Sequence, residues 1–548
     1  MKKRYPDKSN VLLVNITRLG DMLQATPTIA GIKMENPSCR ITVLVEKQFE
    51  DVCRSIPEVD EVVSLDLSMT VRSLAREQAG IIEAYEYVSE FVEDLKRRNF
   101  DYCLNMSSSA YTALLLKLIG VKQSGGWSSD EEGYRVIESD WAKLFATSVF
   151  HQNRQFNSLN LVDIFRCSAD VEKHPRHLLI GLDRQALDYS GGLVAQAGFT
   201  NGGPLIAVQA GASQNKRQWE REKFVKLIEI LVKEHQARIV LTGSKKELSI
   251  IEPIKSACDS CNVFVAAGKT NIAQLAALLQ LSEILITGDT GPMHMSVAVG
   301  TPVIAMFLAS AYGFETGPYS EGNIVLQPII GCGPCNPNKS CAKTDCHDHF
   351  EPALVARLVM MRLKEDFRQL PKGLVDSNKL IVYRSYFDQQ GFCDLEALNG
   401  EAVDPYTRYR QAYRKLWLDD LGGYEQALPT AKKFGLKVYN QACPGIASVV
   451  EMAEEGLRLI SGLIELVDDN TSAPAELGKI NYGLSELDRR IEQIGFHYAY
   501  LGPLTRMFIF AKENLCGTEA ASLASQMGRI YEDLVRRAKK FSSYLSIS

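Results

Sequence analysis

The chain has 548 residues, and its 61 Lys and Arg against 66 Asp and Glu give a formal net charge of −5. A hydrophobic fraction of 46% and a charged fraction of 23% are typical of folded globular proteins and argue against wholesale disorder or a fibrous repeat. Because the chain is slightly acidic and has no long basic run, we expect no nucleic-acid partner. The length predicts about two to four domains.

The apolar and cysteine patterns indicate the compartment. The first ten residues are basic without an apolar segment of signal-peptide type, and apolar stretches such as residues 303–314 are too short to cross a bilayer. Most of the 13 cysteines are scattered, which favours reduced thiols. We therefore expect a cytoplasmic protein, with peripheral contact to the inner membrane left open.

Strand and helix patterns alternate over the first 170 residues. We predict strands over residues 11–16, 41–45 and 102–105, and helices over residues 22–35, 72–98 and 110–119. Such alternation is typical of a parallel sheet with helices on both faces. It predicts a first doubly wound α/β domain over residues 1–185.

The same rhythm restarts after a segment rich in glycine, residues 171–203, which we interpret as an interdomain connection. We predict strands over residues 205–208, 238–241, 263–266, 284–286 and 302–307, and helices over residues 221–234, 271–280 and 290–299. The sequence therefore predicts a second α/β domain over residues 200–368.

Helical periodicity dominates residues 370–548, after one further candidate strand at residues 380–387. Apolar residues recur at helical spacing over residues 453–467, 477–494 and 523–534, and Ser472 and Pro474 are helix-start signals. We interpret the stripes as the core of a helical bundle; a self-association surface is the alternative.

A glycine-rich turn follows the strand predicted at residues 284–286, and it continues into a helix that carries Pro292 in its first turn. Unpaired amides at such a helix start bind phosphate, and Gly291 lets a ligand approach the backbone. Asp289 can accept hydrogen bonds from sugar hydroxyls, and His294 can face the same ligand. The alternative is a capped helix with a buried histidine.

Two further polar positions follow predicted strands. Lys216 and Arg217 place positive charge near the strand at residues 205–208, and arginine binds diphosphates with two hydrogen bonds. Asp21 follows Gly20 after the first strand and could act as a general base. The alternative for Lys216 and Arg217 is that they are solvated surface charges. The alternative for Asp21 is that it caps a turn or helix.

These segments occur in a specific order. The pattern LGDM with a following Thr-Pro lies at residues 19–27, GAS with RQW at residues 211–219, and DTGPMH with a following GTP at residues 289–302. Over about residues 10–365 the chain resembles the bacterial heptosyltransferase family, glycosyltransferase family 9, which includes the ADP-heptose:lipopolysaccharide heptosyltransferases. The resemblance implies a GT-B fold, in which two Rossmann-like domains face a cleft, followed here by a mainly helical extension.

The resemblance also implies an activity. It predicts an inverting glycosyltransferase that moves heptose from a nucleotide-activated donor, ADP-heptose, to a hydroxyl of the lipopolysaccharide core or another surface glycan. Family members need no metal at the donor phosphates, which agrees with the lack of an Asp-x-Asp pair. Three alternatives stay open: a surface-protein acceptor, a different nucleotide sugar, and a catalytically silent sugar-binding scaffold.

Site residues follow from the resemblance by motif. Asp21 matches the base that deprotonates the acceptor, and Glu247 falls where the family binds ribose. The remaining predicted donor-binding residues are Ser213, Lys216, Arg217, Thr270, Asp289, Thr290, Gly291, Met293 and His294. One departure concerns the acceptor: Asn15 stands where many relatives have a basic residue, which leaves Arg18 as the candidate contact to an anionic acceptor.

A cysteine cluster at residues 331–346 has the spacing C-x2-C-x5-C-x4-C. Four such thiolates, Cys332, Cys335, Cys341 and Cys346, can surround one tetrahedral ion, and we predict structural zinc or iron. A closed shell of this kind leaves no position for substrate, so the metal would fix the loop. Disulfides or free thiols are the alternative.

The extension at residues 370–548 does not match the family motifs. We favour oligomerisation or acceptor docking over docking to a membrane surface, because the basic run at residues 536–540 is typical of a solvated helix end. The expected partners are therefore a nucleotide sugar, a surface glycan or protein acceptor, and further copies of the chain through the C-terminal helices.

Overall fold

The computed structural model describes residues 9–16, 18–76, 79–149, 152–258, 260–341, 343–364, 369–400, 404–424, 443–468 and 474–547. The chain divides into two compact units. The first comprises residues 1–129 and 159–402, and the second comprises residues 130–158 and 403–548. The predicted start signal Ser472 lies outside the described residues.

The strands of the described ranges are, in chain order, β1 (Asn10–Val14), β2 (Arg40–Glu46), β3 (Glu61–Leu65), β4 (Tyr102–Asn105), β5 (Ser124–Ser129), β6 (Arg135–Ile137), β7 (Leu205–Gln209), β8 (Arg238–Thr242), β9 (Val263–Val265), β10 (Ile284–Gly288), β11 (Val303–Met306), β12 (Ile324–Pro328), β13 (Leu380–Phe387) and β14 (Cys393–Ala397). The helices are α1 (Leu19–Gln24), α2 (Thr26–Glu35), α3 (Glu50–Arg54), α4 (Leu67–Leu74), α5 (Ala79–Arg97), α6 (Ala110–Ile119), α7 (Asp140–Val149), α8 (Leu161–Ser168), α9 (Arg184–Ala195), α10 (Arg221–His235), α11 (Leu248–Cys258), α12 (Ile272–Leu281), α13 (Gly291–Ala298), α14 (Gly313–Thr316), α15 (Pro352–Lys364), α16 (Thr407–Gly422), α17 (Ile446–Asp468), α18 (Pro474–His497), α19 (Gly502–Glu513) and α20 (Ala520–Ile547).

The first unit contains two sheets. In the first sheet the strands β3-β2-β1-β4-β5 lie side by side and pair in parallel. The second sheet has the order β14-β13-β12-β11-β10-β7-β8-β9, and it is parallel up to β12. The central strands β1, β7 and β10 are almost wholly apolar and buried, as expected for parallel strands covered by helices on both faces.

The second sheet extends beyond the predicted domain boundary at residue 368. The predicted strand at residues 380–387 is present as β13, and it pairs antiparallel with β12. A further strand, β14, follows it as a hairpin and pairs antiparallel with β13. The boundary is therefore corrected, because the second α/β domain continues to about residue 400 before the helical region begins.

Two predicted segments change their form in the structure. The helix predicted over residues 22–35 is two helices, because the chain turns at Ala25 and restarts with Pro27 in the first turn of α2. The predicted interdomain connection contains α9, whose start is capped by Asp183: its carboxylate accepts a hydrogen bond of 2.6 Å from the amide of Ala186. This cap starts a helix despite the two glycines that the sequence places within it.

The second unit is a helical bundle with α7 and β6. The predicted apolar stripes form its interior, where Ile460, Leu487 and Leu534 are buried. In the basic run at residues 536–540, Arg536 and Lys539 are exposed as predicted, but Arg537 is buried and donates to Asp420 at 2.6 Å. Within the described ranges, the structure contains no helix with the length and hydropathy needed to span a bilayer.

Candidate active site

A cavity of about 480 Å³, called here the cleft cavity, lies between α1 of the first α/β domain and the second sheet. Its walls come from the segments after β1, β7, β8 and β10, which meet where each sheet reverses its strand order. Ligands of α/β proteins bind at such positions. The predicted site residues that line it are Asp21, Ser213, Arg217, Glu247, Thr270, Asp289, Thr290, Gly291 and His294.

Asp21 lies in the first turn of α1 and faces the cleft cavity. The amide of Arg18 donates to its carboxylate at 3.3 Å, which leaves the carboxylate half-buried and open to the cavity. Asn15 is buried, and its side chain donates to the carbonyl of Asp21 at 3.1 Å. The asparagine at the position where relatives carry a basic residue therefore fixes the backbone of α1.

The start of α13 packs directly on α1. A Cβ atom on Gly291 would lie 3.0 Å from Cδ2 of Leu19, and one on Gly20 would lie 2.9 Å from Cδ2 of His294. Both glycines therefore permit a close approach that a larger residue would prevent. This approach brings Asp21 and the turn at residues 289–294 to one cavity.

Arg217 reaches the same turn. Its Nη2 donates to the carboxylate of Asp289 and, at 3.0 Å, to the carbonyl oxygen of Asp289. Its Nε is buried and has no hydrogen-bond partner within the described ranges. The guanidinium is thus fixed on one edge and retains an unpaired donor, which suits it to bind an anion near the helix start.

His294 lies in the first turn of α13 and is 4% exposed. Burial lowers the pKa of its imidazole, and the nearby Asp289 and Asp21 oppose this shift only in part. The ring is therefore neutral near pH 7. Its Nδ1 is buried without a partner in the described part of the chain, so a ligand can satisfy this atom.

Glu247 is held rigidly at the other end of the cavity. Gln209 donates to its Oε1 at 2.9 Å, and the amide and hydroxyl of Ser244 donate to its Oε2 at 2.7 and 2.8 Å. Its carboxylate occupies the space that a side chain at position 211 would need, which explains Gly211. A fixed carboxylate of this kind can accept hydrogen bonds from a diol.

Two predicted donor-binding residues, Lys216 and Met293, are not among the residues that line the cleft cavity. Lys216 points to the cysteine loop, where its Nζ donates to the carbonyls of Asn336, Pro337 and Lys339 at 2.8, 3.1 and 2.6 Å. Met293 is fully buried in the hydrophobic interior. In both cases the neighbouring residue of the motif, Arg217 or His294, takes the position at the cavity.

Gln24 and Thr316 are among the residues that line the cleft cavity although the motifs did not indicate them. Gln24 could have been found, because it lies three residues after Asp21 and thus on the same face of α1. Thr316 ends the short helix α14, which is too short to show a periodic pattern of apolar residues. The exposed Arg18 lines the cavity as well, in agreement with its predicted position.

The four predicted metal ligands, Cys332, Cys335, Cys341 and Cys346, line a separate cavity of about 300 Å³, called here the cysteine-loop cavity. Burial raises the pKa of the Cys335 thiol to about 11 and also raises that of Cys346. Among the described residues no three His, Cys, Asp or Glu side chains are grouped so that they could hold a metal ion. As arranged, the thiols share a cavity but do not fit a closed coordination shell.

Comparisons with known proteins agree with this geometry. Residues 88–345 match the sequence profile of glycosyltransferase family 9 (heptosyltransferase). The lipopolysaccharide heptosyltransferase 3 of Escherichia coli strain K12 is 24% identical over 324 residues, which are 56% of this chain and 84% of that protein. The lipopolysaccharide core heptosyltransferase OpsX of Haemophilus influenzae is 26% identical over 319 residues, 57% of this chain and 82% of that protein.

A solved structure supports the fold. The glycosyl transferase family 9 protein from Veillonella parvula has a TM-score of 0.52 and 18% identity, and the match covers 65% of this chain and 98% of that one. The predicted GT-B fold is therefore confirmed. Together with the matched profile and relatives, this identifies the chain as a glycosyltransferase whose α/β part is similar to glycosyltransferase family 9, the heptosyltransferase family.

Proposed function

We propose that the chain transfers heptose from ADP-heptose to a hydroxyl of the lipopolysaccharide core or another surface glycan, with inversion at the anomeric carbon. One observation carries the proposal: the carboxylate of Asp21 and the Arg217–Asp289 pair line the same cavity from opposite domains. A base on one side and an anion site on the other are what displacement of a sugar diphosphate requires.

The reaction follows from these positions. Asp21 accepts the proton of the acceptor hydroxyl as its oxygen forms a bond to the anomeric carbon. The bond from that carbon to the diphosphate oxygen breaks on the opposite face, and ADP leaves with the electron pair. Arg217 and the amides at the start of α13 stabilise the negative charge that develops on the diphosphate. The neutral ring of His294 lies beside them without adding charge.

The nucleoside is expected at the end of the cavity formed by Glu247 and Thr270. The fixed carboxylate of Glu247 would accept hydrogen bonds from the two ribose hydroxyls. Thr270, two residues before α12, would lie beside the adenine base. Calorimetric titration with ADP, UDP and GDP tests this assignment: ADP should bind most tightly, and a preference for UDP or GDP would replace the donor with another nucleotide sugar.

The central experiment compares the wild-type chain with Asp21→Asn. Loss of a general base lowers the rate by about 100- to 10,000-fold, whereas the affinity for ADP should change less than about 2-fold. Mass spectrometry of acceptor glycans and calorimetry with ADP measure the two quantities. Full activity of the variant would remove Asp21 as the base, and failure of the wild-type chain to bind any nucleotide would favour a silent scaffold.

The acceptor class has its own test. Glycan and surface-protein heptosylation should be compared by mass spectrometry in a host with and without this chain. Loss of heptose from the core glycan supports the proposal, whereas loss from a surface protein alone would make the chain a protein heptosyltransferase. The proposed reaction uses a cytoplasmic donor, and we therefore place the chain in the cytoplasm, at the inner face of the membrane where the glycan acceptor is held.

Two assembly hypotheses also remain proposals. A structural zinc or iron ion would require the cysteine loop to draw its four thiols together, and elemental analysis of the purified chain decides this: less than about 0.2 metal per chain rejects it. Self-association through the helices of the second unit is tested by light scattering of the full chain, where a monomer at micromolar concentration would reject it.

A further inference from the structure

Two polar side-chain atoms at the wall of the cleft cavity have no hydrogen-bond partner among the residues that the structure describes. Gln24 is 1% exposed, and its Nε2 has no hydrogen-bond partner in the described part of the chain. The hydroxyl of Thr316 is buried and unpaired in the same sense. Buried polar atoms are nearly always hydrogen-bonded, so unpaired ones at the wall of a cavity indicate a ligand.

The position of Gln24 relates it to the reaction. It follows Asp21 by three residues on α1, so the two side chains lie about one turn apart on one face of the helix. Thr316, the last residue of α14, lines the same cavity. A ligand that contacts Gln24 therefore lies near the proposed base.

The chemistry of the wall selects the class of ligand. A carboxamide and a hydroxyl each donate and accept hydrogen bonds without carrying charge. The Asp21 carboxylate disfavours an anion beside it, and Arg217, which carries an unpaired cationic donor, follows β7 of the second sheet. A neutral group that both donates and accepts, such as a sugar hydroxyl, matches these walls.

We propose that Gln24 and Thr316 form a subsite for a sugar hydroxyl and thereby determine which sugar reacts. The inference rests on the proposed function, because it places the sugar at the reacting end of the same cavity. The hydroxyl belongs either to the sugar of the donor or to the acceptor glycan. Both sources present the same chemical group, a sugar hydroxyl, and the experiment below distinguishes them.

The test uses Gln24→Met and Thr316→Val, which keep the approximate volume and remove the hydrogen bonds. ADP, which carries no transferred sugar, is the internal control and should bind each variant within about 2-fold of wild type. If the donor supplies the hydroxyl, binding of ADP-heptose should weaken by about 5- to 10-fold. If the acceptor supplies it, the KM for acceptor should rise by a similar factor while donor affinity is unchanged.

If Gln24 had a purely structural role, the ligand-free Gln24→Met chain would be less heat-stable than wild type. The subsite proposal predicts that this chain is at least as heat-stable as wild type, because the change removes an unpaired buried donor. The proposal would be overturned if the variant lost stability and bound ADP and ADP-heptose more weakly by the same factor. It would also be overturned if both the affinity for the donor and the KM for the acceptor were unchanged. Gln196→Met, an exposed position at the end of α9, is the matched surface control.

The proposed function and the subsite fail in different ways. If the wild-type chain prefers UDP or GDP, the ADP-heptose assignment is wrong, and the same comparison is run with that nucleotide and its sugar. In that case the subsite is still supported if Gln24→Met weakens binding of the nucleotide sugar more than binding of the nucleotide. Equal affinities of the variant and wild type for both ligands, with an unchanged acceptor KM, refute it.

Discussion

Lys216 and Arg217 are adjacent in one short 3-10 turn, yet they serve two different cavities. Lys216 enters the cysteine loop and donates to three backbone carbonyls. Arg217 enters the cleft cavity, donates to Asp289 and keeps an unpaired Nε. The ammonium group of Lys216 donates its hydrogen bonds to the protein, whereas Arg217 retains an N–H group that can donate to a ligand.

This difference separates a supporting role from a binding role. The cysteine loop also holds the backbone of the turn, because His347 Nε2 contacts the carbonyl of Lys216 at 3.0 Å. Lys223 Nζ in turn donates to the carbonyl of His347 at 2.9 Å. The loop therefore fixes the residue that precedes Arg217, so its integrity should affect nucleotide binding from outside the cleft cavity.

Replacement of the binding cation should have the largest effect. Hydrogen bonds between charged groups contribute about 1.5–3 kcal/mol, so Arg217→Met should weaken ADP binding by about 10- to 100-fold. Calorimetry with ADP measures this loss. Arg221→Met is the matched control, because Arg221 begins α10, is exposed and pairs with its neighbour Glu222. Similar losses in both variants would show that general charge, and not the position of Arg217, attracts the nucleotide.

Replacement of the supporting cation should act differently. Lys216→Met leaves three loop carbonyls without their donor and should lower the free energy of unfolding by about 1–3 kcal/mol. ADP binding should weaken by only about 3- to 10-fold, because the turn loosens while Arg217 remains. Urea denaturation and calorimetry measure the two effects, with the exposed Lys226→Met as control. A loss of ADP affinity as large as that of Arg217→Met, without loss of stability, would make Lys216 a direct ligand after all.

The contact between the two α/β domains can be tested at Gly20. A Cβ atom there would lie 2.9 Å from the ring of His294, so Gly20→Ala should force the ring or α1 to move. We expect a destabilisation of about 1–2 kcal/mol and a transfer rate lowered by about 10-fold, because Asp21 shifts with the helix. Gly192→Ala, at an open position in α9, is the control. An unchanged rate would show that the packing of α1 on α13 does not set the position of the base.

The sequence could place the cleft residues but not the directions of their side chains. Arg217 and Asp289 follow neighbouring parallel strands of one sheet, whose ends meet at one edge, so their convergence was predictable. Asp21 follows a strand of the other sheet, and only the resemblance to a two-domain cleft fold predicted that it faces them. The opposite directions of Lys216 and Arg217 depend on carbonyls about 120 residues further along, which no local pattern encodes. The same holds for Gln24, whose significance lies in a missing partner and not in its residue type.

The smallest expected effect concerns pH, to which the two cavities respond differently. Burial lowers the pKa of His294 in the cleft cavity, whereas burial raises the pKa of the Cys335 thiol to about 11. Below pH 6.5 the histidine of the unfolded chain binds a proton that the folded chain resists, so the free energy of unfolding falls as the pH drops. The Cys335 thiol stays protonated in both states throughout this range and adds nothing.

Urea denaturation of wild type and His294→Gln at pH 7.5 and 5.5 measures this contribution. The wild-type chain should lose stability at pH 5.5, and the variant should lose less. The half-buried His174, whose pKa is also lowered by desolvation, remains in both chains and accounts for a shared part of the loss. An equal loss in the two chains would mean that acid destabilises the protein outside the cleft cavity, and that His294 accepts its proton there without cost because Asp21 and Asp289 compensate for its burial.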